Sequence, residues 1–300
     1  MIMRRIGILI CFLAGIALFA GAESLQLKGL TCEYVENPLG VDALNPVLGW
    51  QLESQARNQL QSAYEIQVAL KEDDLRNGKG LVWKSGKVNS RQNVNIVYSG
   101  RKLKSFTRYY WRVRAYDREG EVSAWSEPAF WETSMLSPAD WKGDGSKAPE
   151  KEEDFYKDDP SPLFRKTFRP AKTVQEARLY IAGIGYYEAS LNGKRIGNHV
   201  LDPGWTNYGK QILYSTYDVT PLIGLGENAI GVMLGNGYYN PLPMRIFKPL
   251  REYLTIGRPC LKAQLRIRYT DGSVETICTD ESWKTTTGPV MRNNVYLGEQ

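Results

Sequence analysis

The amino-acid sequence predicts an all-β protein made of two consecutive β-sandwiches. Three observations lead to this fold class. Apolar residues recur at every second position in many short segments, turn-forming Gly, Pro, Asn and Asp separate those segments, and no helical period replaces the alternation beyond the amino terminus. Each such strand has one apolar face that must be covered, so evenly spaced strands of this kind pair into two packed sheets.

Residues 1–22 precede the predicted sandwiches and have the pattern of a secretory signal peptide. Arg4 and Arg5 are followed by the apolar run IGILICFLAGIALFA and then by Ala-Gly-Ala, an A-x-A cleavage signature. The run is too short for a membrane span, and no later segment is long or apolar enough to form one. We therefore expect a secreted protein, with the periplasm, the cell surface and the extracellular medium as its alternative destinations.

Residues 23–136 predict the first sandwich. YEIQVAL and YWRVRAYD alternate apolar and polar residues, which is typical of strands with one buried face. With the following EVSAWSEPAFWETS, the second of these segments is similar to a fibronectin type III or immunoglobulin-like module, a scaffold that carries no chemistry of its own. Four tryptophans supply a large apolar volume for this core: Trp50, Trp111, Trp125 and Trp131.

Residues 137–162 predict a charged linker or insertion between the sandwiches. The segment GDGSKAPEKEEDFYKDDPSP is rich in charge, Pro and Gly, so it cannot bury a core of its own.

Residues 163–290 predict a second sandwich, of the jelly-roll (galactose-binding-like) kind. Its strands are read from LFRKTF, ARLYIAG, YYEASLNG, ILYSTYDV, ENAIGVML, CLKAQLRIRYTDG and SVETICTD. Asn192-Gly193 and Asp271-Gly272 predict type I′ hairpin turns, in which both central residues have positive φ.

Charge and cysteine content exclude several classes of function. The chain has 38 basic and 33 acidic residues, and its net charge of +5 falls to +3 (36 against 33) when Arg4 and Arg5 leave with the leader. That scattered, nearly even balance does not favour nucleic acid or an anionic membrane as a partner.

Of the three cysteines beyond the leader, Cys260 and Cys278 flank a predicted hairpin and could pair. Buried free thiols are nevertheless the preferred interpretation, since three cysteines make a poor disulfide framework.

Two loops of the second sandwich combine what sugar recognition requires, namely flat apolar rings for the C–H face of a pyranose and fixed polar groups for its hydroxyls. The first loop spans residues 201–208, and the second is GNGYYN at residues 235–240. The alternative is that the aromatic residues of the first loop plug a corner of the sandwich. The candidate carbohydrate-binding residues are Asn192, Asp202, Trp205, Asn207, Tyr208, Asn236, Tyr238 and Tyr239.

The sequence pattern does not indicate a catalytic centre. The single histidine, His199, has no nucleophile or fixed carboxylate partner, and nothing ties Glu188, Asp202 or Asp218 into a pair. We therefore predict no catalytic residue in this chain and no cofactor. A calcium ion would use Asp202 and Asn207, but no EF-hand-like spacing supports one.

Taken together, the motifs of the second half resemble the amino-terminal part of bacterial α-L-rhamnosidases. In that family an N-G hairpin, a P-G-W-T-x-Y loop, a Y-x-T-Y-D-V-T strand and an L-G-N-G-(W/Y)-Y turn follow one another. Here these motifs lie at residues 192–193, 203–208, 214–220 and 234–239.

The resemblance implies a multidomain glycosidase that releases terminal α-L-rhamnose from glycans or rhamnosides by inversion, with its catalytic carboxylates in an (α/α)6 barrel. No barrel sequence is present, and residues 291–300 read as the truncated start of a further domain. The expected partners are an L-rhamnose-containing glycan and the catalytic domains of the same protein. Two alternatives remain open: a complete non-catalytic carbohydrate-binding or adhesion protein, and a purely structural spacer.

Overall fold

The computed structural model of the protein describes residues 25–147, 160–240 and 257–300. Within these ranges the regular structure is almost entirely β, as the sequence predicts. The predicted signal peptide and residues 148–159 of the predicted linker lie outside them. No helix in the described part has the length and apolar character needed to cross a membrane.

The first sandwich pairs a three-stranded sheet, ordered β1-β3-β6, with a five-stranded sheet, ordered β2-β8-β7-β4-β5. Neighbours are antiparallel except β2 and β8. A short helix, α1 (Glu72–Asn77), follows β4. The strands are β1 (Gln26–Cys32), β2 (Leu39–Val41), β3 (Val47–Glu53), β4 (Ala63–Ala69), β5 (Leu81–Lys84), β6 (Ile96–Val97), β7 (Arg108–Tyr116) and β8 (Ala129–Thr133).

Three of the four predicted core tryptophans fill the first sandwich. Trp50, Trp111 and Trp131 are almost fully buried, and the ring of Trp131 stacks on Tyr109 at 5.4 Å. The prediction was wrong for Trp125, which is only half-buried and lies on the outside of the sheet. The guanidinium groups of Arg112 and Arg114, from the polar face of β7, lie 4.5 and 4.7 Å from the Trp125 ring centroid.

The second sandwich packs the sheet β13-β12-β15-β10-β18 against the sheet β14-β11-β16-β17, with β9 on β16. All of its pairs are antiparallel. A small ladder, β19 (Asn293–Asn294) with β20 (Gly298–Glu299), follows it. The strands are β9 (Ser146–Lys147), β10 (Pro162–Phe168), β11 (Val174–Ile184), β12 (Tyr186–Leu191), β13 (Lys194–Arg195), β14 (Ser215–Asp218), β15 (Asn228–Gly235), β16 (Cys260–Tyr269), β17 (Val274–Cys278) and β18 (Lys284–Thr287).

Alternation decides which residues of the second sandwich face the core. In β15, the side chains of Ile230, Val232 and Leu234 point into the core, while Gly231 and Met233 occupy positions on the outer face of the sheet. Burying one such aliphatic side chain contributes about 1.5–3 kcal/mol. The rest of the core comes from both sheets, including Phe164, Leu179, Ile181, Leu191, Leu265 and Ile267.

The two predicted hairpin turns differ in the structure. Asn192 and Gly193 both have positive φ, 53° and 76°, which confirms the type I′ turn between β12 and β13. The type I′ prediction was wrong for Asp271-Gly272, where only Gly272 has positive φ, at 82°. Its N–H donates to the carbonyl of Tyr269, so glycine occupies the single left-handed position of a longer hairpin loop.

The described cysteines form no disulfide with one another. Cys278 lies opposite Gln264 across the β16–β17 ladder, not opposite Cys260, so the two strands hold these thiols out of disulfide register. The prediction of buried thiols is confirmed for Cys32 and wrong for Cys260 and Cys278, which are partly exposed.

The two sandwiches meet in a buried interface centred on an ion pair. Arg178 of β11 donates from Nε and Nη2 to the two carboxylate oxygens of Glu132 in β8, at 2.7 and 3.1 Å. Arg108 donates to the same carboxylate at 2.9 Å, and Arg178 Nη1 lies 3.0 Å from Asp218. Burial alone lowers the pKa of Arg178, but its bonds to Glu132 and the neighbouring carboxylates outweigh burial and raise that pKa.

Residues 137–147 belong to this junction, although the sequence places them in a solvated linker. A short 3₁₀ turn, Pro138–Asp140, is followed by Trp141, whose ring packs edge-on against Tyr214 at 5.4 Å. The N–H of Lys142 donates to Gln264 at 2.7 Å, and β9 then pairs with β16. Two half-buried aromatic rings and the buried amide of Gln264 therefore attach this segment to the second sandwich.

Candidate functional site

Two loops at one end of the second sandwich carry most of the predicted sugar-binding residues. Residues 196–214 connect β13 to β14, and residues 236–240 follow the end of β15. Trp205 from the first loop lies against Tyr238 from the second, with ring centroids 5.1 Å apart and planes inclined by 36°. The structure therefore brings together two of the predicted aromatic platforms.

Tyr296, between β19 and β20, extends this pair. Its ring meets Tyr238 edge-on at 6.2 Å. Trp205, Tyr238 and Tyr296 are 62%, 37% and 52% exposed, and we call these three residues the aromatic surface. Exposed aromatic rings that contact one another make this surface a candidate for contact with a ligand or another protein.

An open groove of about 400 Å³ adjoins the aromatic surface. The ring of Tyr186, on the groove wall, lies 6.5 Å from Tyr238, and burial raises the pKa of its hydroxyl. Two exposed carboxylates, Glu188 and Glu299, also line the groove, together with Leu201. Apolar faces and exposed acceptors therefore lie within one concavity, which is the combination that sugar hydroxyls and ring faces require.

Asp202 is placed inside the loop and not on its surface. Its carboxylate accepts hydrogen bonds from the hydroxyls of Tyr187, Ser215 and Tyr217, the last two at 2.8 and 2.7 Å. Burial, followed by the bond to Asp202, raises the pKa of Tyr187 far above its ordinary value. His199 lies at the edge of this cluster, with Nδ1 3.1 Å from the Tyr217 hydroxyl. The cluster holds the loop in shape.

Tyr208 is also buried, as the corner-plugging alternative expects. It is 8% exposed and its ring meets Tyr239 edge-on at 5.3 Å. Burial raises the pKa of Tyr208 to about 12, and its hydroxyl has no hydrogen-bond partner among the described residues. Tyr208 therefore supports the loop from beneath and does not offer a face to solvent.

The amide residues have separate roles in turns. Asn192 donates to Asn228 at 2.7 Å and accepts from the N–H of Ala229 at 2.9 Å. It follows the end of β12 that is opposite to Tyr186, about 20 Å away along the strand. Asn207 is exposed and accepts from the N–H of the third residue of its own turn, Gly209. Asn192 and Asn207 thus cap local backbone.

Asn236 links the second loop to the β19–β20 ladder. Its backbone N–H donates to the side-chain oxygen of Asn293 at 2.5 Å, and its side-chain amide donates to the Asn293 carbonyl at 2.9 Å. Asn240 in turn donates to the Asn236 side chain at 3.0 Å. Asn236 is therefore an anchor beneath Tyr238, whereas the neighbouring Tyr239 is half-buried against Tyr208.

The sequence pattern does not identify four residues of the site: Tyr186, Asn293, Tyr296 and Glu299. Tyr186 begins a predicted strand, and the other three lie in the segment 291–300, which reads as the start of another domain. Aromatic residues at strand ends, in YYEASLNG and VYLGEQ, were the available signal.

The carboxylates considered for catalysis are engaged separately. Asp202 is held by three hydroxyls, and Asp218 accepts from the N–H of Thr220 at 3.0 Å, the backbone bond expected at a strand end. No cluster of three or more His, Cys, Asp or Glu side chains suited to a metal ion occurs in the described part of the chain. Asp202 and Asn207, the calcium candidates, direct their oxygens to different protein donors.

The fold and the family matches define an amino-terminal region built of two β-sandwiches. Its two domains match those at the amino terminus of α-L-rhamnosidases. Residues 27–137 match the family described as the Rha78A-like, N-terminal immunoglobulin domain, and residues 172–300 match the α-L-rhamnosidase N-terminal domain. These matches confirm the family resemblance and the two-sandwich fold class.

Curated relatives agree with this assignment. An α-L-rhamnosidase of Formosa agariphila is 35% identical over 92% of this chain, and one of Alteromonas sp. is 36% identical over 88%. The chain spans only 31% and 29% of these two proteins, about a third of their length.

Solved structures show the same architecture. The α-L-rhamnosidase of Dictyoglumus thermophilum superposes with a TM-score of 0.83 and 40% identity, over 91% of this chain and 31% of its own. The enzyme of Aspergillus terreus superposes with a TM-score of 0.77 and 29% identity, over 92% of this chain and 31% of its own. Both extend well beyond the region that the present chain covers.

Proposed function

We propose that this chain is the substrate-binding and scaffolding region of a secreted α-L-rhamnosidase, which hydrolyses terminal α-L-rhamnose from glycans or rhamnosides, and that its aromatic surface binds the sugar. Its relatives are α-L-rhamnosidases, which favours this function over the adhesion-protein alternative. Secretion rests on the leader pattern of residues 1–22. Fractionation of cells that produce the protein tests it, since a protein retained in the cytoplasm would contradict it.

The observation that carries sugar binding is the contact between exposed rings beside a groove with carboxylates. Trp205 and Tyr238 offer faces on which a pyranose C–H face can pack, and Glu188 and Glu299 can accept from its hydroxyls. The surface is shallow and open, so we expect weak binding, with a Kd of roughly 0.1–1 mM.

Calorimetric titration with L-rhamnose and with an α-L-rhamnosyl oligosaccharide tests the proposal. Trp205→Ala is expected to weaken binding at least about tenfold, because about 1.4 kcal/mol of ring packing is lost. Trp205→Phe, which keeps a flat face, is expected to retain part of the affinity. Tyr34→Ala is the matched control, because Tyr34 is an aromatic residue exposed on the first sandwich. Equal affinities for all four proteins would overturn the assignment.

A second candidate function for the same surface is docking of the catalytic domains. Three further apolar residues nearby in the loops are strongly exposed, Val200 at 75%, Leu201 at 69% and Leu297 at 70%. A bound sugar would cover little of this aliphatic surface, whereas an interface with another domain would bury it. If docking is the function, Trp205→Ala in the full-length protein lowers thermal stability without changing the affinity for rhamnose.

A further inference from the structure

A second, larger groove crosses the outer face of the sheet β13-β12-β15-β10-β18. It has a volume of about 810 Å³ and is open to solvent. Glu188 and Met233 line both this groove and the groove beside the aromatic surface. The two grooves therefore adjoin each other at β12 and β15.

The registers of the strands show how the floor of this groove is built. In one row across the sheet, Thr286, Leu163, Met233 and Glu188 lie side by side on β18, β10, β15 and β12. Two residues further from the aromatic surface, all five strands contribute to the next row. Because side chains alternate between faces, every member of both rows points outward. The second row, which we call the basic row, is Lys284, Arg165, Gly231, Ser190 and Arg195.

The basic row has an unbalanced charge. Arg165 and Lys284 are direct cross-strand partners, and like charges in that position repel each other. Neither has an ion pair in the described part of the chain. The third cation, Arg195, donates to the His199 carbonyl at 2.7 Å and lies 3.9 Å from the carboxylate of Glu188. Three cations thus face one carboxylate on an exposed sheet surface.

The middle of the basic row forms a depression in the surface of the sheet, because its residues are small. Gly231 has no side chain, and the hydroxyl of its neighbour Ser190 is a weak donor to the Gly231 carbonyl, at 3.4 Å. The row spans about 19 Å from β13 to β18, with cations at both ends and small residues in the middle. This shape leaves room for a chain-like ligand that runs along β15 from the aromatic surface.

We infer that this groove binds an acidic stretch of a rhamnose-containing polysaccharide, with its anionic groups at Arg165 and Lys284. The inference rests on the proposed function, since the aromatic surface would hold a neutral sugar unit of the same polymer. Arginine and lysine match carboxylate and sulfate oxygens with charge-assisted hydrogen bonds. An anionic ligand also relieves the repulsion between the two cations, which no residue of the described sheet does.

The test compares three probes on the purified protein at low ionic strength: a uronate-bearing rhamnan, the same polymer after carboxyl reduction, and a sulfated rhamnan. We expect at least about tenfold tighter binding of an acidic polymer than of the reduced one. The uronate and sulfate arms identify which anion the groove prefers. Equal binding of acidic and reduced polymers would overturn the inference.

Substitutions in the basic row test whether the acidic polymer binds in this groove. Arg165→Gln with Lys284→Gln is expected to abolish the preference for acidic polymers and to leave thermal stability unchanged or slightly higher. The matched control removes two exposed cations from the first sandwich, Arg57→Gln with Lys102→Gln, and should keep the preference. Gly231→Leu fills the groove without changing its charge and should weaken binding of every polymer.

The outcomes separate this inference from the proposed function. If Trp205→Ala still weakens binding of a neutral rhamnoside but acidic polymers gain nothing from Arg165 and Lys284, only the present inference fails. If the acidic preference depends on the basic row while neutral rhamnosides do not bind, sugar binding at the aromatic surface fails instead. Loss of the acidic preference in the control variant would show that general charge attraction is responsible, and would also overturn the inference.

Discussion

Replacing Arg178 by Met tests whether the ion pair between the sandwiches stabilises the protein. Arg178 and Glu132 are both 5% exposed, so removal of the guanidinium leaves a buried carboxylate. Breaking a buried pair by removing one partner costs about 3–5 kcal/mol. Arg108 still donates to one oxygen of Glu132 at 2.9 Å, which places the expected loss near the lower end, about 3 kcal/mol.

A double-mutant cycle isolates the pair from other effects. Glu132→Gln should cost about 2–3 kcal/mol, because Asp218 lies 3.0 Å from Arg178 and compensates part of its charge. In the double variant the two losses should overlap by at least about 1 kcal/mol, since Arg178→Met removes both hydrogen bonds of the pair and Glu132→Gln removes one of them together with the charge. The control is Lys28→Met, in an exposed ion pair with Glu53, which should change stability by less than about 0.5 kcal/mol.

Urea denaturation followed by tryptophan fluorescence and by circular dichroism measures these changes. The free energy of unfolding comes from the midpoint and slope, and different midpoints for the two signals would reveal sandwiches that unfold separately. Two single variants within about 0.5 kcal/mol of the parent protein, or losses that add fully in the double variant, would refute the reasoning.

Two further predictions concern titrating groups of the first sandwich. Burial raises the pKa of Glu65, but hydrogen bonds from Tyr116 and Arg114 outweigh burial and hold that pKa below its ordinary value of 4.5. The stability from Glu65 is therefore complete above that value and is lost as pH falls through the lower pKa, so Glu65→Gln should flatten the acid limb of a urea-midpoint profile. An unchanged acid limb would contradict this. Burial and the charge of the adjacent glutamate raise the pKa of Cys32, so a disulfide reagent at pH 8 should label the partly exposed Cys260 and Cys278 before Cys32, and early labelling of Cys32 would contradict the structure.

The fold was predictable from sequence because strand alternation is local. YWRVRAYD becomes β7, in which buried and half-buried residues alternate without exception. The position of Trp125 was not predictable in this way, because Trp125 lies between strands β7 and β8, and only the folded chain brings the guanidinium groups of Arg112 and Arg114 over its ring. A tryptophan in a strand region predicts burial, but it does not identify which side of the sheet provides it.

The site was predictable only in part, for a similar reason. Residue type alone selects Trp205 and Tyr238 together with Asp202 and Asn236, but their polar partners lie far away along the chain. Asp202 is held by hydroxyls of other strands, and Asn236 is paired with a residue 57 positions later. The basic row is further out of reach, since it exists only once the register places Arg165 opposite Lys284. Sequence distance hides both the satisfied amides and the unbalanced charges.

The close packing between the sandwiches limits how freely either one can be exchanged during evolution. Phe106 of the first sandwich lies edge-on to Tyr180 of the second at 5.6 Å, and a side chain at Gly40 would overlap the Thr216 hydroxyl. Domain shuffling between rhamnosidases would therefore have to carry these contacts across together. A chimaera whose new sandwich lacked the counterpart of Arg178 or Glu132 would leave a buried unpaired charge at this interface. The two sandwiches are separate folds, but these contacts make the sequence of each depend on that of the other.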